Sequence, residues 1–567
     1  YSKIPEKYLQ YAALDAVATY LSGGKIIKLC RDVTELYPLH ALGINGTHGI
    51  MALKDWGLLS HNIQLRGDIA LHWIERFGIN VDQAQVKILD KELNAEIEAA
   101  NAIMARYGFV PGKKGNQGEY NRIITEAEKR HGVTVPTTAK VCNKSQAADD
   151  LIPLADDEFV AAFLKYKENN KLRSTFIKRL QEGGNRIYPH YNLLTNTGRT
   201  SCSGPNVQQL PRENHIRECI VPAPGHIFLA CDYSGIELCT LAQLTWSRFG
   251  QSRMRELINQ GVDLHRFTAS QILKKNEVEV TSEERRKAKA ANFGVGGGMG
   301  AKGLVAYAWT TFGVKMTVLE GEQWREHWLN LFPEMRLYLE DEDNLVKLIN
   351  VYDLSDFPSA DAHEEIAAMV LMRIAGGAQK TSAGRLFAKN EIDWAWSKIV
   401  ESPATSVKRL QAAIEKRTGS RELQQAIIPG QVAVTPSGRI RADCRYCESR
   451  NTPFQGMASD GAKLALYDLA RARFRVVAFI HDEVLVEVPE CGDYRPAAEA
   501  ISGIMISAMK RVCPDVTIRT EYAVMRRWCK DAKATYDSAG HLVPYEDGDT
   551  GIAKPPIKAL GVDTNAA

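Results

Sequence analysis

The chain has 567 residues, of which 45% are hydrophobic and 25% charged, with a formal net charge of +3; this is the profile of a globular protein with room for roughly three or four domains. No apolar run reaches membrane-spanning length and no signal-type stretch opens the chain, while 11 scattered cysteines argue for reduced thiols in a cytoplasm-like compartment, against a disulfide framework. The near-neutral balance neither demands nor excludes nucleic acid, because phosphate binding depends on where positive charge is concentrated.

The chain starts at Tyr1 without an initiator Met, which suggests a fragment or a processed product. Its first segment, "YLQYAALDAVATYLSGGKIIKL", is helical in pattern and leads into a linker-like region near residues 40 to 60. Long amphipathic helices are expected from about 66 to 130 and from 157 to 182, the latter carrying six Lys or Arg on its polar face. Residues 187 to 245 read as strands and turns, 252 to 345 as helices, and 346 to 428 as a further helical block. "GQVAVTPSGRIRA" predicts a hairpin, "NTPFQGMASDGAKLALYDLARARF" a long helix, and "RVVAFIHDEVLVEVPE" two strands about a tight turn. The last 30 or so residues are rich in Pro and Gly and are expected to be mobile. Cys444 and Cys447 form a CxxC with no second pair at zinc-ribbon spacing, so they read as incidental thiols.

Two acids stand where apolar strands should end. In "HIFLACDYSGIELCTLAQL" the run from His226 to Cys231 breaks at Asp232, and helical spacing begins at Ile236. Asp232 is either a cap of that helix or a buried carboxylate that needs a positive partner. Asp482 and Glu483 sit at the turn of the hairpin "VVAFIHDEVLVEV", next to His481. If the two strands are neighbours, Asp232 and Asp482 converge, and such oxygen pairs suit Mg²⁺, singly or as a two-ion site for phosphoryl transfer.

Between these acids, "EERRKAKAANFGVGGGMG" puts Arg285, Lys289 and Phe293 four residues apart, one stripe on a helix. Two cations and a ring suit a nucleotide: triphosphate for the former, sugar and base for the latter. Gly296-x-Gly298-x-x-Ala301 formally matches a dinucleotide fingerprint but follows a helix, which fails the context that motif requires.

In order, "TGRTSCSGPNVQQLPR", "DYSGIEL", "RRKAKAANFG", "RNTPFQGMASD" and "HDEV" resemble the signature segments of family A DNA polymerases, the bacterial DNA polymerase I group and its phage relatives. The resemblance implies an α+β right-hand fold: thumb and palm entry over 66–190, palm over 191–250 and 429–531, fingers over 251–345. It implies Asp232, Asp482 and the Tyr233 backbone as metal ligands for two Mg²⁺, with Mn²⁺ possible, and Glu483 as the neighbouring catalytic acid. Arg285, Lys289, Phe293 and Gly297 would meet the incoming dNTP, and Glu237 would crowd the sugar 2′ position. Arg199, Asn206, Gln208, Asn451, Gln455 and His481 would contact template, primer or the nascent pair, and Lys171 and Arg173 of "KYKENNKLRSTF" would grip duplex DNA. Partners would be primer-template DNA and dNTPs, in phage or viral genome replication within the host cytoplasm, without a membrane.

The sequence departs from that pattern in three places. Tyr11 and Asp15 in "YAALD" resemble the last motif of a 3′–5′ exonuclease domain, whose remnant would span 1–40 with a linker over 41–65, and the other exonuclease motifs are absent. Gly297 stands where the family usually has Tyr, which implies a missing ring and a roomier pocket. Residues 346–428 form an insertion, and 532–567 a C-terminal tail. Rival readings are a non-catalytic DNA-binding protein with the same fold, a single-subunit RNA polymerase and a nuclease.

Overall fold

The computed structural model describes residues 56, 60–113, 116–137, 143–211, 215–340, 431–529 and 532–546. The exonuclease-like segment with Tyr11 and Asp15, the insertion 346–428 and the tail past 546 lie outside the described residues.

Helix α1 (His61–Phe77) buries Ile63, Ala70, Leu71 and Ile74 along one stripe. Helices α2 (Gln83–Arg106), α3 (Asn116–His131) and α4 (Glu158–Leu172) follow. The N-caps of α2 and α4 are Asp82 and Asp157, whose carboxylates accept backbone N–H bonds from the first turn. These helices have their own aromatic core, in which Phe159 and Phe163 stack with centroids 6.0 Å apart and Tyr120 packs alongside. The expected helix over 157–182 thus forms, but residues Arg173–Ile177 make a π-helical turn before Lys178–Glu182 resumes it.

Strand β1 (His226–Tyr233) then runs into helix α5 (Ile236–Phe249) through Ser234 and Gly235. Gly235 adopts φ 63°, a left-handed conformation open to glycine without penalty, and this lets the chain reverse within two residues. Helices α6 (Leu264–Leu273), α7 (Ser282–Gly296), α8 (Ala301–Phe312) and α9 (Val318–Leu331) complete the first half. Beyond the undescribed stretch come the hairpin β2 (Gln431–Val434) and β3 (Ile440–Cys444), then the long helix α10 (Tyr446–Arg471). Strands β4 (Arg475–Ile480) and β5 (Glu483–Pro489), helix α11 (Arg495–Lys510) and strand β6 (Thr520–Met525) follow.

Four strands form one antiparallel sheet in the order β6-β1-β5-β4. Side chains alternate between its faces. On β1, Ile227, Leu229, Cys231 and Tyr233 join the larger core with α5, α7, α10 and α11, whereas Phe228 and Ala230 join a second core with α2 and Trp528. Both faces are covered, so β1 reads as a continuous apolar run. It also extends two residues beyond the predicted end at Cys231, because Asp232 and Tyr233 still have ladder partners on β6.

The expectation of a mobile tail is corrected over 532–546: Thr535–Tyr536 pairs with Leu542–Val543, Leu542 is fully buried, and the Tyr545 amide donates to the Val524 carbonyl at 2.8 Å. Among the described residues no helix is long and apolar enough to cross a membrane.

Candidate active site

The site is built where β1 meets the β4–β5 turn. Asp232 lies directly opposite Glu483 on β5 and opposite Glu521 on β6, a row of three acids across three strands. Directly opposed residues have Cβ atoms about 5 Å apart on one face, and like charges there repel. Asp482 adds a fourth carboxylate from a two-residue turn, in which His481 is held at φ 61°. Asp232, Asp482 and Glu483 line one cavity of about 220 Å³, together with His481, Gln208 and Arg217.

The convergence expected of Asp232 and Asp482 is therefore present. The positive partner inferred for Asp232 has two candidates: Arg217 lines its cavity, and Arg199 is close enough to Asp482 for that carboxylate to raise the guanidinium pKa against the larger lowering by burial.

The donors are all oxygen and suit a hard cation. No group of three or more His, Cys, Asp or Glu that could hold a metal ion is found among the described residues.

Arg199 also donates to the carboxylate of Glu237 in the first turn of α5. Beside them is Tyr307 of α8, whose phenol has a pKa raised by burial and lowered in part by Arg199. Tyr307 in turn touches α7: a Cβ on Gly294 would lie 3.4 Å from its ring. Acids, Arg199, α5, α8 and α7 are thus contiguous.

On α7 the predicted stripe is present, with Arg285, Lys289 and Phe293 all half-buried. Arg285 pairs with Asp263 at 2.9 Å, the Lys289 ammonium sits 5.7 Å from the centre of the Phe312 ring, and the Phe293 ring is 5.5 Å from that of His265. His265 is held down to about 4, chiefly by burial and then by Arg285 and Lys289, with Asp263 opposing. It is a neutral imidazole among cations near neutral pH.

Gly297 corrects an expectation. It caps α7 rather than lying within it, at φ −86°, and the space a side chain would need is filled: an added Cβ would fall 2.5 Å from Asn451 Oδ1. Asn451 donates to the Gly297 carbonyl at 3.3 Å and to the Cys447 carbonyl at 2.8 Å. The space beside Gly297 is occupied by the Asn451 side chain of α10.

Among the remaining predicted contacts, Gln208 is buried and donates to Thr200 Oγ1 at 2.9 Å and to the Phe479 carbonyl at 3.2 Å. Asn206 precedes the short 3₁₀ turn Val207–Gln209, and Gln455 is half-buried on α10. Lys171 and Arg173 do not join this cluster. Lys171 is exposed beside a cavity of about 540 Å³ lined also by Lys113 and Lys167, while Arg173 pairs with Asp90 of α2 at 2.7 Å. Sequence reasoning missed Arg217, Glu521, Asp263, His265 and Tyr307. Asp263 carried a signal, an N-cap acid before α6; the others carried none.

The sheet that presents the paired acids has a counterpart among solved structures, and the chain shares that fold. Its likeness to the POL domain of Pol1 from M. smegmatis, in complex with DNA primer-template and dNTP, has a TM-score of 0.54 at 22% identity, covering 82% of this chain and 70% of that one. Residues 117–348 match the model of DNA polymerase family A. The chain is 26% identical over 412 residues to DNA polymerase I of Aquifex aeolicus, covering 71% of this chain and 56% of that protein. It is 25% identical over 471 residues to a thermostable DNA polymerase I of Thermus filiformis, covering 80% and 46%. The likeness to the solved polymerase domain shows the fold, the matched stretch resembles DNA polymerase family A, and the chain spans about half the length of these curated relatives.

Proposed function

We propose that the chain is a template-directed DNA polymerase that adds dNTPs to a primer 3′ end. The observation that carries this reading is that Asp232, Asp482 and Glu483 share one cavity, with Arg199 beside Asp482 and bonded to Glu237 of α5. Asp232, Asp482 and the Tyr233 backbone would hold two Mg²⁺, or Mn²⁺ in their place. When bound, these ions supply charge to the attacking and leaving oxygens.

The rest is positioning by the chain's own residues. Arg285 and Lys289 neutralise the triphosphate, Phe293 packs on sugar and base, and Glu237 crowds the sugar 2′ position. Arg199, Asn206, Gln208, Asn451, Gln455 and His481 orient primer and template, and Lys171 with its neighbouring lysines holds the duplex backbone. The primer 3′ oxygen forms a bond to the α-phosphorus as the bond to pyrophosphate breaks, a transfer catalysed mostly by placement and charge. In this reading the palm is formed by 191–250 and 429–531, the fingers by 251–345 and the thumb and palm entry by 66–190.

Primer extension with separate dNTP and rNTP pools tests the proposal. Extension by dNTPs alone is expected; no extension with either pool would leave only a DNA-binding protein, and extension with rNTPs would make it an RNA polymerase.

A further inference from the structure

Lys463 lies in the middle of α10 and is completely buried. A buried ammonium is unfavourable unless its protons are used, and here two are. Its Nζ donates to the Gly198 carbonyl at 2.7 Å and to Gln64 Oε1 of α1 at 2.7 Å. Ser459, one helical turn earlier on the same face, donates to the same Gly198 carbonyl at 2.5 Å.

Gly198 is the hinge of a tight turn that can accept this grip only as glycine. Its φ is +79°, and a Cβ would collide with the guanidinium of Arg439. The Gly198 amide closes the turn on the Thr195 carbonyl at 3.0 Å, and Thr195 Oγ1 donates to the carbonyl of Arg199. The next side chain along is Arg199, whose guanidinium reaches Glu237 and the field of Asp482. One peptide unit thus separates the buried lysine's acceptor from the residue that stands between Asp482 and Glu237.

We propose that Lys463 is a positioning residue for Arg199: with Ser459 it clamps the Gly198 carbonyl and so fixes where the guanidinium stands. The inference rests on the polymerase reading for its consequence but not for the clamp itself. The charged groups facing Lys463 are Asp460 from its own helix and Arg439 from the loop between β2 and β3, and Gln64 is its neutral partner from α1. Arg439 is committed to Asp460 at 3.2 Å, and Asp460 also accepts from Ser437 at 2.5 Å and Gln64 at 3.3 Å. Burial brings the Lys463 ammonium down to about 7, with Asp460 opposing and Arg439 reinforcing, so the clamp is held by a group that exchanges its proton near neutrality.

Two measurements decide the matter. In Lys463→Met and the milder Ser459→Ala, hydrogen exchange of the peptide spanning 195–200 is expected to rise while that of β4 and β5 does not; this readout needs no catalysis. In primer extension, Lys463→Met is expected to raise the dNTP KM about tenfold, the worth of one charge-assisted hydrogen bond, with kcat changed less, and this effect should vanish in an Arg199→Ala background. Unchanged exchange in the turn for both variants, or a loss that adds in full to that of Arg199→Ala, overturns the clamp. Absence of extension by the unaltered chain overturns the polymerase reading instead, and the exchange result still decides the clamp.

Discussion

Asp232 and Glu483 stand on strands covered on both faces, whereas Arg285 and Lys289 stand half-exposed on a helix that touches the rest of the protein through small residues. The first pair is held by ladder register, since Asp232 opposes Glu483 through an unbroken run of seven paired positions. The second is held by the buried side of α7, where Ala288, Ala290 and Ala291 let neighbouring helices approach and Asn292 serves as a polar hub. Asn292 Oδ1 accepts from Trp328 Nε1 at 2.7 Å and Thr268 Oγ1 at 3.1 Å, and its Nδ2 donates to the Leu264 carbonyl at 3.3 Å. The acids are thus fixed by backbone pairing, and the cations by one side chain and a close fit. Damage to the first region should affect chemistry; damage to the second should affect nucleotide binding and stability.

The largest effect is expected at the sheet end. Asp232→Asn or Asp482→Asn should lower the extension rate by at least about 10³-fold while duplex affinity changes by less than about threefold, because phosphate contacts dominate it. Single-turnover extension and a binding titration on each variant check this, and a rate near that of the unaltered protein in either variant would remove the acid from its role.

On the helix side, Asn292→Ala should destabilise the fold by about 3 kcal/mol, since it strands the Trp328 and Thr268 donors in a buried setting. Urea unfolding measures the loss, and the dNTP KM should rise with it. Gly297→Ala should cost about 2 kcal/mol by overpacking against Asn451. Adding Asn451→Ala should recover most of that; no recovery in the double variant would show that Asn451 does not fill the space.

Between the two regions, Glu237→Ala should relax selection against rNTPs by about tenfold, the scale on which a pocket discriminates by bulk. Steady-state insertion of matched dNTP and rNTP pairs reads this directly.

The last effect concerns His265 and is confined to acid. Its folded pKa, about 4 against an ordinary 6.5, means that the unfolded chain binds more protons in between. Stability should therefore fall as pH drops from 6.5 to 4, by at most about 1.4 kcal/mol per pH unit. His265→Gln should lack this component, so the two urea midpoints should run parallel above pH 6.5 and diverge below it; parallel curves throughout would mean that His265 is not held neutral.

Much of this architecture was legible along the chain. The break at Asp232, the turn at His481 and Asp482, and the four-residue repeat of Arg285, Lys289 and Phe293 are local patterns, and strand and helix periods translate such patterns into faces. The mixed fold was implied by the resemblance that the ordered segments carry to family A DNA polymerases. Lys463 also left a trace, a lone cation within the apolar run "GAKLAL", but nothing local says which carbonyl it reaches. That depends on a partner 265 residues away, just as the filling of the space beside Gly297 depends on Asn451, 154 residues on. Arg173 shows the converse, a basic residue whose charge looked available until α2 brought Asp90 against it. Sequence periodicity determined the elements and the residues each could present, because backbone geometry is set over a few neighbours. Which of those residues meet was decided by close packing of elements remote in the chain, where one atom's displacement of another is a fact of three dimensions.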